Sequence, residues 1–204
     1  MFDRKSRLLI PDNTPLSVLS LLGEDALNWL FKPDVEVWVT DMVREEAVRD
    51  PDPGSDNRTE QRRDLRNWFE HNADRIRVQE TRAGNEYRKA MKAWELAGSP
   101  PELKPSWADR GEESIIQVLD GIENVLKDGE AVLVIMDDRK GRAALRTLNH
   151  DLDIMSTESF VIWMTERFNI REAESAWQTI ALIMGKAIPQ LKESDDEPVS
   201  TFRV

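Results

Sequence analysis

The chain has 204 residues, enough for one well-packed domain, and 33% of them are charged, as in a protein with solvated helices. The absence of cysteine excludes disulfides and thiolate metal ligands, and it fits a reducing compartment, so we expect a cytoplasmic protein. The net charge of -11 argues against a general nucleic-acid binder, because phosphate contacts need clustered lysine and arginine. No apolar run approaches a membrane span, so no membrane partner is expected.

The first fifty residues alternate short apolar segments with helical patterns. Strands are predicted at 7–10 and 35–39, and leucines at helical spacing predict a helix over 15–31 between them. Thr40 is placed to cap the next helix, which is predicted to end near Val48.

The segment 50–105 is long and charged, and we interpret it as a helical insertion within the domain. After a loop of turn residues, helices are predicted at 59–72 and 83–97, with a short strand at 76–78 between them. Ten lysines and arginines stand against six acids in the range 58–92, a local charge of +4. This stretch is either a phosphate-facing edge or a solvated helical surface.

The second half of the chain continues the alternation of strands and helices. Its predicted elements are a helix at 107–126, the clearest strand of the sequence at 131–136, a helix at 138–148, a short strand at 153–155, and helices at 157–168 and 171–188. We expect residues 1–190 to form a single domain and residues 191–204 a polar, flexible tail. Strands separated by helices predict an α/β domain with a mainly parallel sheet and helices on both faces.

Acidic residues occur where the predicted strands end. Asp12 follows the first strand, Asp137 and Asp138 follow the strongest strand, and the helix after the second strand carries Glu46. Because ligands of such sheets bind beyond the carboxyl ends of the strands, these acids are expected to face one crevice. Each has a structural alternative, since Asp12, Asp137 or Asp138 can cap the helix that follows it.

Helical phase selects one glutamate from each of two neighbouring pairs. Glu112 heads an apolar stripe, whereas Glu113 aligns with more polar positions; the stripe continues through Ile115, Leu119, Ile122 and Leu126. In the helix after the second strand, Glu46 shares a face with Val43 and Ala47, so we choose it over Glu45. The alternative for Glu46 and Glu112 is an ordinary ion pair with Arg139 or Arg142.

Several carboxylates around one cleft point to a divalent cation. At an effective dielectric constant of about 20, each pair about 4 Å apart costs roughly 4 kcal/mol. Oxygen-only ligation suits Mg²⁺ or Mn²⁺, which can lower the pKa of a bound water and stabilise charge on a phosphodiester. No histidine cluster competes, because His71 and His150 stand apart and are expected at the surface.

The order of these acids resembles the PIN-domain family. Its pattern is an apolar strand ending in Asp, a short Val-x-x-Glu helix, an acid opening a later helix, and an acid after a further strand. The corresponding runs here are Leu8-Leu-Ile-Pro-Asp12, Val43-Arg-Glu-Glu46, Gly111-Glu112-Glu-Ser, and Met136-Asp137-Asp138-Arg-Lys-Gly-Arg142, followed by Met155-Ser-Thr157. Many members have Ser or Thr shortly before the fourth acid, where this chain has Met136.

The resemblance implies a Rossmann-like three-layer PIN fold and a metal-dependent endoribonuclease. It implies that the carboxylates of Asp12, Glu46, Glu112 and Asp138 are catalytic metal ligands, with Asp137 close by. It also implies supporting roles for three neighbours, namely Asn13, Thr14 and Arg142. Many members are toxins of toxin–antitoxin pairs and many dimerise, so an RNA substrate, an antitoxin-type protein partner and a homodimer are implied. The alternative is an inactive PIN-like module that binds RNA or protein.

The seven tryptophans offer a further set of candidate contacts. Trp163 and Trp177 fall on apolar helix faces, which predicts core or dimer packing. Trp68 and Trp94 lie in the charged middle segment, where they either stack on RNA bases or pack in the protein.

Overall fold

The structure, a computed structural model, describes residues 5–49, 59–106, 108–148 and 151–183. Its sheet has the strand order β3-β2-β1-β4-β5, and all neighbouring strands are parallel. The strands are β1 (Lys5–Pro11), β2 (Glu36–Thr40), β3 (Ile76–Gln79), β4 (Glu130–Ile135) and β5 (Leu152–Met155). With helices flanking this sheet, the predicted α/β class is confirmed, and the architecture is consistent with a Rossmann-like three-layer fold.

The described helices alternate with the strands. They are α1 (Asn13–Ser20), α2 (Glu24–Leu27), α3 (Asp41–Val48), α4 (Thr59–His71), α5 (Arg82–Leu96), α6 (Arg110–Asp120), α7 (Arg139–Leu145), α8 (Thr157–Phe168) and α9 (Arg171–Ile183). None of them is both long and apolar enough to cross a membrane. The predicted loop at 50–57, the predicted surface residue His150, the end of the predicted helix at 171–188 and the predicted tail at 191–204 lie outside the described residues.

Two predicted helices are wrong in their continuity. The helix predicted at 107–126 begins at Arg110 and ends at Asp120, and a separate 3-10 turn follows at Ile122–Asn124. The segment 15–31, predicted as a single helix, forms α1, then α2, then a 3-10 turn at Asn28–Phe31. Gly23 causes the break, because its φ of 90° lies in a region that side-chain-bearing residues rarely adopt. The apolar spacing survives the break, which is why the leucines alone suggested one continuous helix.

The described part of the 50–105 segment is built into the sheet. Its strand β3 pairs with β2, in register Val37↔Ile76 to Thr40↔Gln79. Helix α4 packs against α1 and α3, and α5 packs against α6. The segment therefore supplies an edge strand and two helices of the layered domain.

The sheet has a topological switch point between β1 and β4. The chain passes from β1 to β2 and β3 on one side, then crosses to place β4 on the other side of β1. The ends of the two strands are in register at Pro11↔Ile135, and the backbone N–H of Asp12 donates to the carbonyl of Ile135 at 2.9 Å. In open α/β sheets, ligands bind in the crevice beyond such a point.

Candidate functional site

Asp12 lies at the switch point, directly after β1. It occupies the N-cap position of α1, but its side chain makes no capping hydrogen bond. Burial raises the pKa of Asp12 to about 6; a hydrogen bond from the Asn13 backbone opposes the rise, and the charges of Glu46, Asp137 and Glu112 add to it. The carboxylate thus sits where three other acids, from three other segments, act on it.

Gly111 allows α6 to approach two of these acids closely. A Cβ atom at this position would lie 3.2 Å from Oε2 of Glu46 and 3.9 Å from Oδ1 of Asp12. The first turn of α6 can therefore pack directly on the carboxylates of Glu46 and Asp12. Glu112 is the next residue in this turn. The glycine matters here for its small size, because its backbone is ordinary helix.

A chain of hydroxyl groups fixes α3 against α6. Thr40 caps α3, as predicted, by accepting a hydrogen bond from the backbone N–H of Val43. Its Oγ1 lies 2.6 Å from Oγ of Ser114, which in turn lies 2.6 Å from the carbonyl oxygen of Gly111. All of these groups are buried, so the relative position of Glu46 on α3 and Glu112 on α6 is well determined.

Gly141 brings α7 against Glu112 from the other side. A Cβ atom at Gly141 would lie 2.5 Å from Sδ of Met136 and 3.4 Å from Cδ of Glu112. Burial raises the pKa of Glu112, the charges of Asp138 and Asp109 add to the rise, and Lys140 opposes it.

Asp137 and Asp138 have different environments. Both carboxylate oxygens of Asp137 accept hydrogen bonds from Thr157, one from its backbone N–H at 2.8 Å and one from its hydroxyl at 2.6 Å. Asp138 is exposed and caps α7 by accepting from the backbone N–H of Lys140 at 3.0 Å. The structure therefore brings Asp137 close to Asp12, whereas Asp138 faces Glu112 and also fills the capping role considered from the sequence.

The three supporting residues have different positions around the acids. Asn13 accepts a hydrogen bond from the hydroxyl of Ser17 at 3.3 Å, and Thr14 is exposed. Arg142 donates to the carbonyl oxygen of Met136 at 3.5 Å, so it supports the turn that presents Asp137.

A second buried acid, Asp41, escaped the sequence analysis. It accepts hydrogen bonds from the backbone N–H of Thr81 at 3.2 Å and its hydroxyl at 2.7 Å, and it forms an ion pair with Arg88 at 2.9 Å. Arg88 also pairs with Glu80. In the sequence, Asp41 is indistinguishable from an ordinary acid in the first turn of a helix.

Two further acids, Glu45 and Asp109, lie near the site in different surroundings. Burial raises the pKa of Glu45; the charge of Arg88 opposes this rise, and the charge of Asp41 adds to it. Glu45 therefore faces Asp41 and Arg88, whereas Glu46 faces Asp12. Asp109, also missed from the sequence, precedes α6 in a left-handed conformation with φ 62°.

The donor chemistry of the acid cluster, defined as Asp12, Glu46, Glu112, Asp137 and Asp138, fits a hard divalent cation. All donors are carboxylate oxygens, and the charges of Glu46, Asp137 and Glu112 add to the rise in the pKa of Asp12 that burial causes. In the arrangement described, no three Asp, Glu or His side chains among the described residues form a group that could hold a metal ion. Carboxylates of like charge repel one another, and a bound divalent cation would offset that repulsion.

In the described part of the basic range 58–92, four arginines are buried or make contacts within the protein. Arg62 is buried, and Arg66 donates to the carbonyl oxygen of Val48 at 2.7 Å. Arg75 lies 3.8 Å from the ring centroid of Phe31, and Arg88 binds Asp41. Much of the local positive charge therefore has structural contacts.

The tryptophans divide into core and partly exposed positions. Trp68 is fully buried against Phe31, with ring centroids 5.7 Å apart, so it cannot stack on RNA. Trp163 lies in the core, as one of the sequence alternatives predicted, and Trp177 is half-buried and packs against the core. Trp94 is half-buried and donates to the carbonyl oxygen of Pro100 at 2.7 Å.

Comparison of the chain with protein-family models, with curated proteins and with solved structures finds no match.

Proposed function

We propose that this protein is a metal-dependent ribonuclease that hydrolyses RNA phosphodiester bonds at the acid cluster. The observation that carries the proposal is the position of Asp12, whose pKa is raised to about 6 at the switch point by burial and by three neighbouring acids. A site that concentrates negative charge where the fold binds ligands is suited to a divalent cation.

The carboxylates of the acid cluster, Asp12, Glu46, Glu112, Asp137 and Asp138, would hold Mg²⁺ or Mn²⁺. When bound, such an ion supplies an activated water and stabilises the charge on the phosphodiester. Thr157 fixes both oxygens of Asp137 and keeps it oriented.

RNA as the substrate rests on the resemblance of the ordered acids to the PIN-domain pattern. A role as the toxin of a toxin–antitoxin pair, an antitoxin-type partner and a homodimer follow from the resemblance alone. They enter the proposal only through that resemblance, because fold and motif do not fix a biological role.

The decisive test is cleavage of end-labelled single-stranded RNA by the purified chain with Mn²⁺ or Mg²⁺. Chelation, Asp12→Asn and Asp137→Asn should each reduce the rate at least a hundredfold, and Asp138→Asn should reduce it less. Asp128→Asn is the matched control, because Asp128 is exposed just before β4, at the opposite end of the sheet. Equal cutting by all variants would show a contaminant and refute the site.

A second candidate is an inactive PIN-like module that binds RNA or a protein partner. One observation favours it, namely that both oxygens of Asp137 already accept hydrogen bonds from Thr157. This candidate predicts no metal-stimulated cleavage, and RNA or partner binding that is unchanged in Asp12→Asn.

A further inference from the structure

A cleft lies between α9 and the segment that follows α1. Its volume is about 560 Å³, and sites for small molecules typically measure about 300–1,000 Å³. Leu22, α2 and the 3-10 turn at Asn28–Phe31 form one side, and one face of α9 forms the other. Asp12 lies at the opposite end of α1, whose 8 residues span about 12 Å, so the cleft is separate from the acid cluster.

The cleft exists because α9 carries small side chains on this face. Ser175, Ala176 and Thr179 recur at helical spacing along it, whereas Ile180 of the same helix is buried in the protein. The hydroxyls of Ser175 and Thr179 donate to carbonyl oxygens of α9 itself, at 3.0 and 3.1 Å. Neither hydroxyl therefore has a free proton to donate to a molecule in the cleft.

The deepest part of the cleft is apolar except for one hydrogen-bond donor. Ala26 and Trp29 are buried there, and Ala176 is half-buried. Trp29 is 7% exposed, and its Nε1 has no hydrogen-bond acceptor among the described residues. Because buried indole rings usually find an acceptor for this group, the N–H of Trp29 points to an oxygen atom of a bound molecule.

Two carboxylates flank the apolar part of the cleft. Asp25 comes from α2 and Glu172 from α9, and both are exposed. Neither acid forms an ion pair within the described part of the chain, and no lysine or arginine is among the described residues that line the cleft. A ligand that complements the cleft is therefore positively charged, and an indole ring near carboxylates suits an organic ammonium ion.

We propose that this cleft binds an organic ammonium ion whose apolar body carries an acceptor oxygen. The ammonium group lies between Asp25 and Glu172. The body packs on Ala26 and Ala176, and its oxygen accepts a hydrogen bond from Nε1 of Trp29. This inference does not depend on the proposed nuclease, because the acid cluster lies at the other end of α1.

The test compares three ligands that share a phenoxy body and its ether oxygen, namely the cation phenoxyethylammonium, the neutral phenoxyethanol and the anion phenoxyacetate. Binding to the full chain is followed by NMR of the amide and indole N–H groups, and Trp29→Phe assigns the indole signal of Trp29. We expect the cation to bind at least tenfold more tightly than the alcohol, and the anion not to bind. The signals of Trp29 and of the α9 face should shift, and that of Asp12 should not.

Substitutions locate the two polar contacts. Asp25→Asn combined with Glu172→Gln should weaken binding of the cation at least tenfold, and Trp29→Phe should weaken it about fivefold. The matched control is Asp128→Asn combined with Glu166→Gln, which removes the same charge at exposed positions outside the cleft. Urea unfolding verifies that each variant is folded.

Four results would overturn the inference. They are equal affinity for the cation and the alcohol, equal losses in the two double variants, no binding of the cation, and signal shifts confined to residues around Asp12. The last result would place the cation at the acid cluster instead of the cleft.

Discussion

Replacing Asp12 by Asn should stabilise the folded chain at neutral pH in the absence of divalent metal. The pKa of Asp12 is about 6 in the folded state against 3.8 for an unperturbed aspartate. A difference of about two units corresponds to about 3 kcal/mol. The folded state binds this proton more tightly than the unfolded state, so the associated stability is present below pH 3.8 and is lost as the pH rises towards 6.

The magnitude that can be measured is set by the accessible pH window. Between pH 4.5 and pH 7.5 the linkage relation predicts that about 2 kcal/mol of the unfolding free energy is lost in the unmodified chain but retained in Asp12→Asn. Urea unfolding in chelator, followed by tryptophan fluorescence, measures both proteins at each pH. Most other groups titrate alike in the two proteins, so their contributions cancel in the difference between the two unfolding free energies.

Two controls make the measurement specific. Asp128→Asn, at an exposed position, should track the unmodified chain at every pH. Adding Mg²⁺ or Mn²⁺ at about 100 times its Kd should restore about 2.7 kcal/mol to the unmodified chain and nothing to Asp12→Asn. A stability difference that is constant with pH, or that grows in favour of the unmodified chain, would refute the assignment of Asp12 as an uncompensated buried acid.

Three further substitutions test the supports of the site. Thr157→Val removes the hydroxyl hydrogen bond to Asp137 and keeps the backbone one, so metal affinity, measured by titration calorimetry, should fall about tenfold. Gly111→Ala should reduce RNA cleavage at least tenfold through displaced carboxylates, while urea unfolding shows stability unchanged or higher. Arg88→Met leaves Asp41 buried without its counter-charge, and urea unfolding should show a loss of about 3 kcal/mol.

Each of these substitutions has a matched control in the chain. Thr147→Val removes an exposed hydroxyl on α7's C-terminal side, Gly121→Ala meets only one atom within 4 Å, and Arg77→Met removes an exposed guanidinium 4.8 Å from the Trp38 ring centroid. All three controls should change metal affinity, cleavage and unfolding free energy only slightly. If a control variant changed the measured quantity as much as the corresponding site variant does, the effect would belong to the type of substitution and not to the site.

The sequence predicts the sheet well because its signals are local. Strands β1, β2 and β4 contain short apolar runs, and Thr40 at the end of β2 marks the start of α3 by its capping chemistry. The break at Gly23 was missed because apolar spacing continues through it. Helical phase distinguished Glu112 from Glu113, which the structure places half-buried and exposed respectively, because one face of α6 packs on the core.

The partners of the site residues could not be predicted, because they come from distant parts of the chain. Asp137 depends on Thr157, twenty residues later, and Asp41 depends on Arg88, forty-seven positions away on α5. Neither pairing leaves a pattern of spacing or composition. The packing of Gly111 and Gly141 against the acids could not be predicted from the sequence either, because it depends on how closely α6 and α7 approach the cluster.

Asp12 and Asp41 provide a comparison within one molecule that favours a ligand at the acid cluster. They follow neighbouring strands β1 and β2 at the same edge of the sheet. Asp41 is compensated by Arg88 and by two donors of Thr81, as a buried structural acid must be. Burial is the main cause that raises the pKa of Asp12, only the Asn13 backbone opposes the rise, and the charges that add to it are other acids; a purely structural role gives no reason to tolerate that cost. A cation supplied from solution does give one.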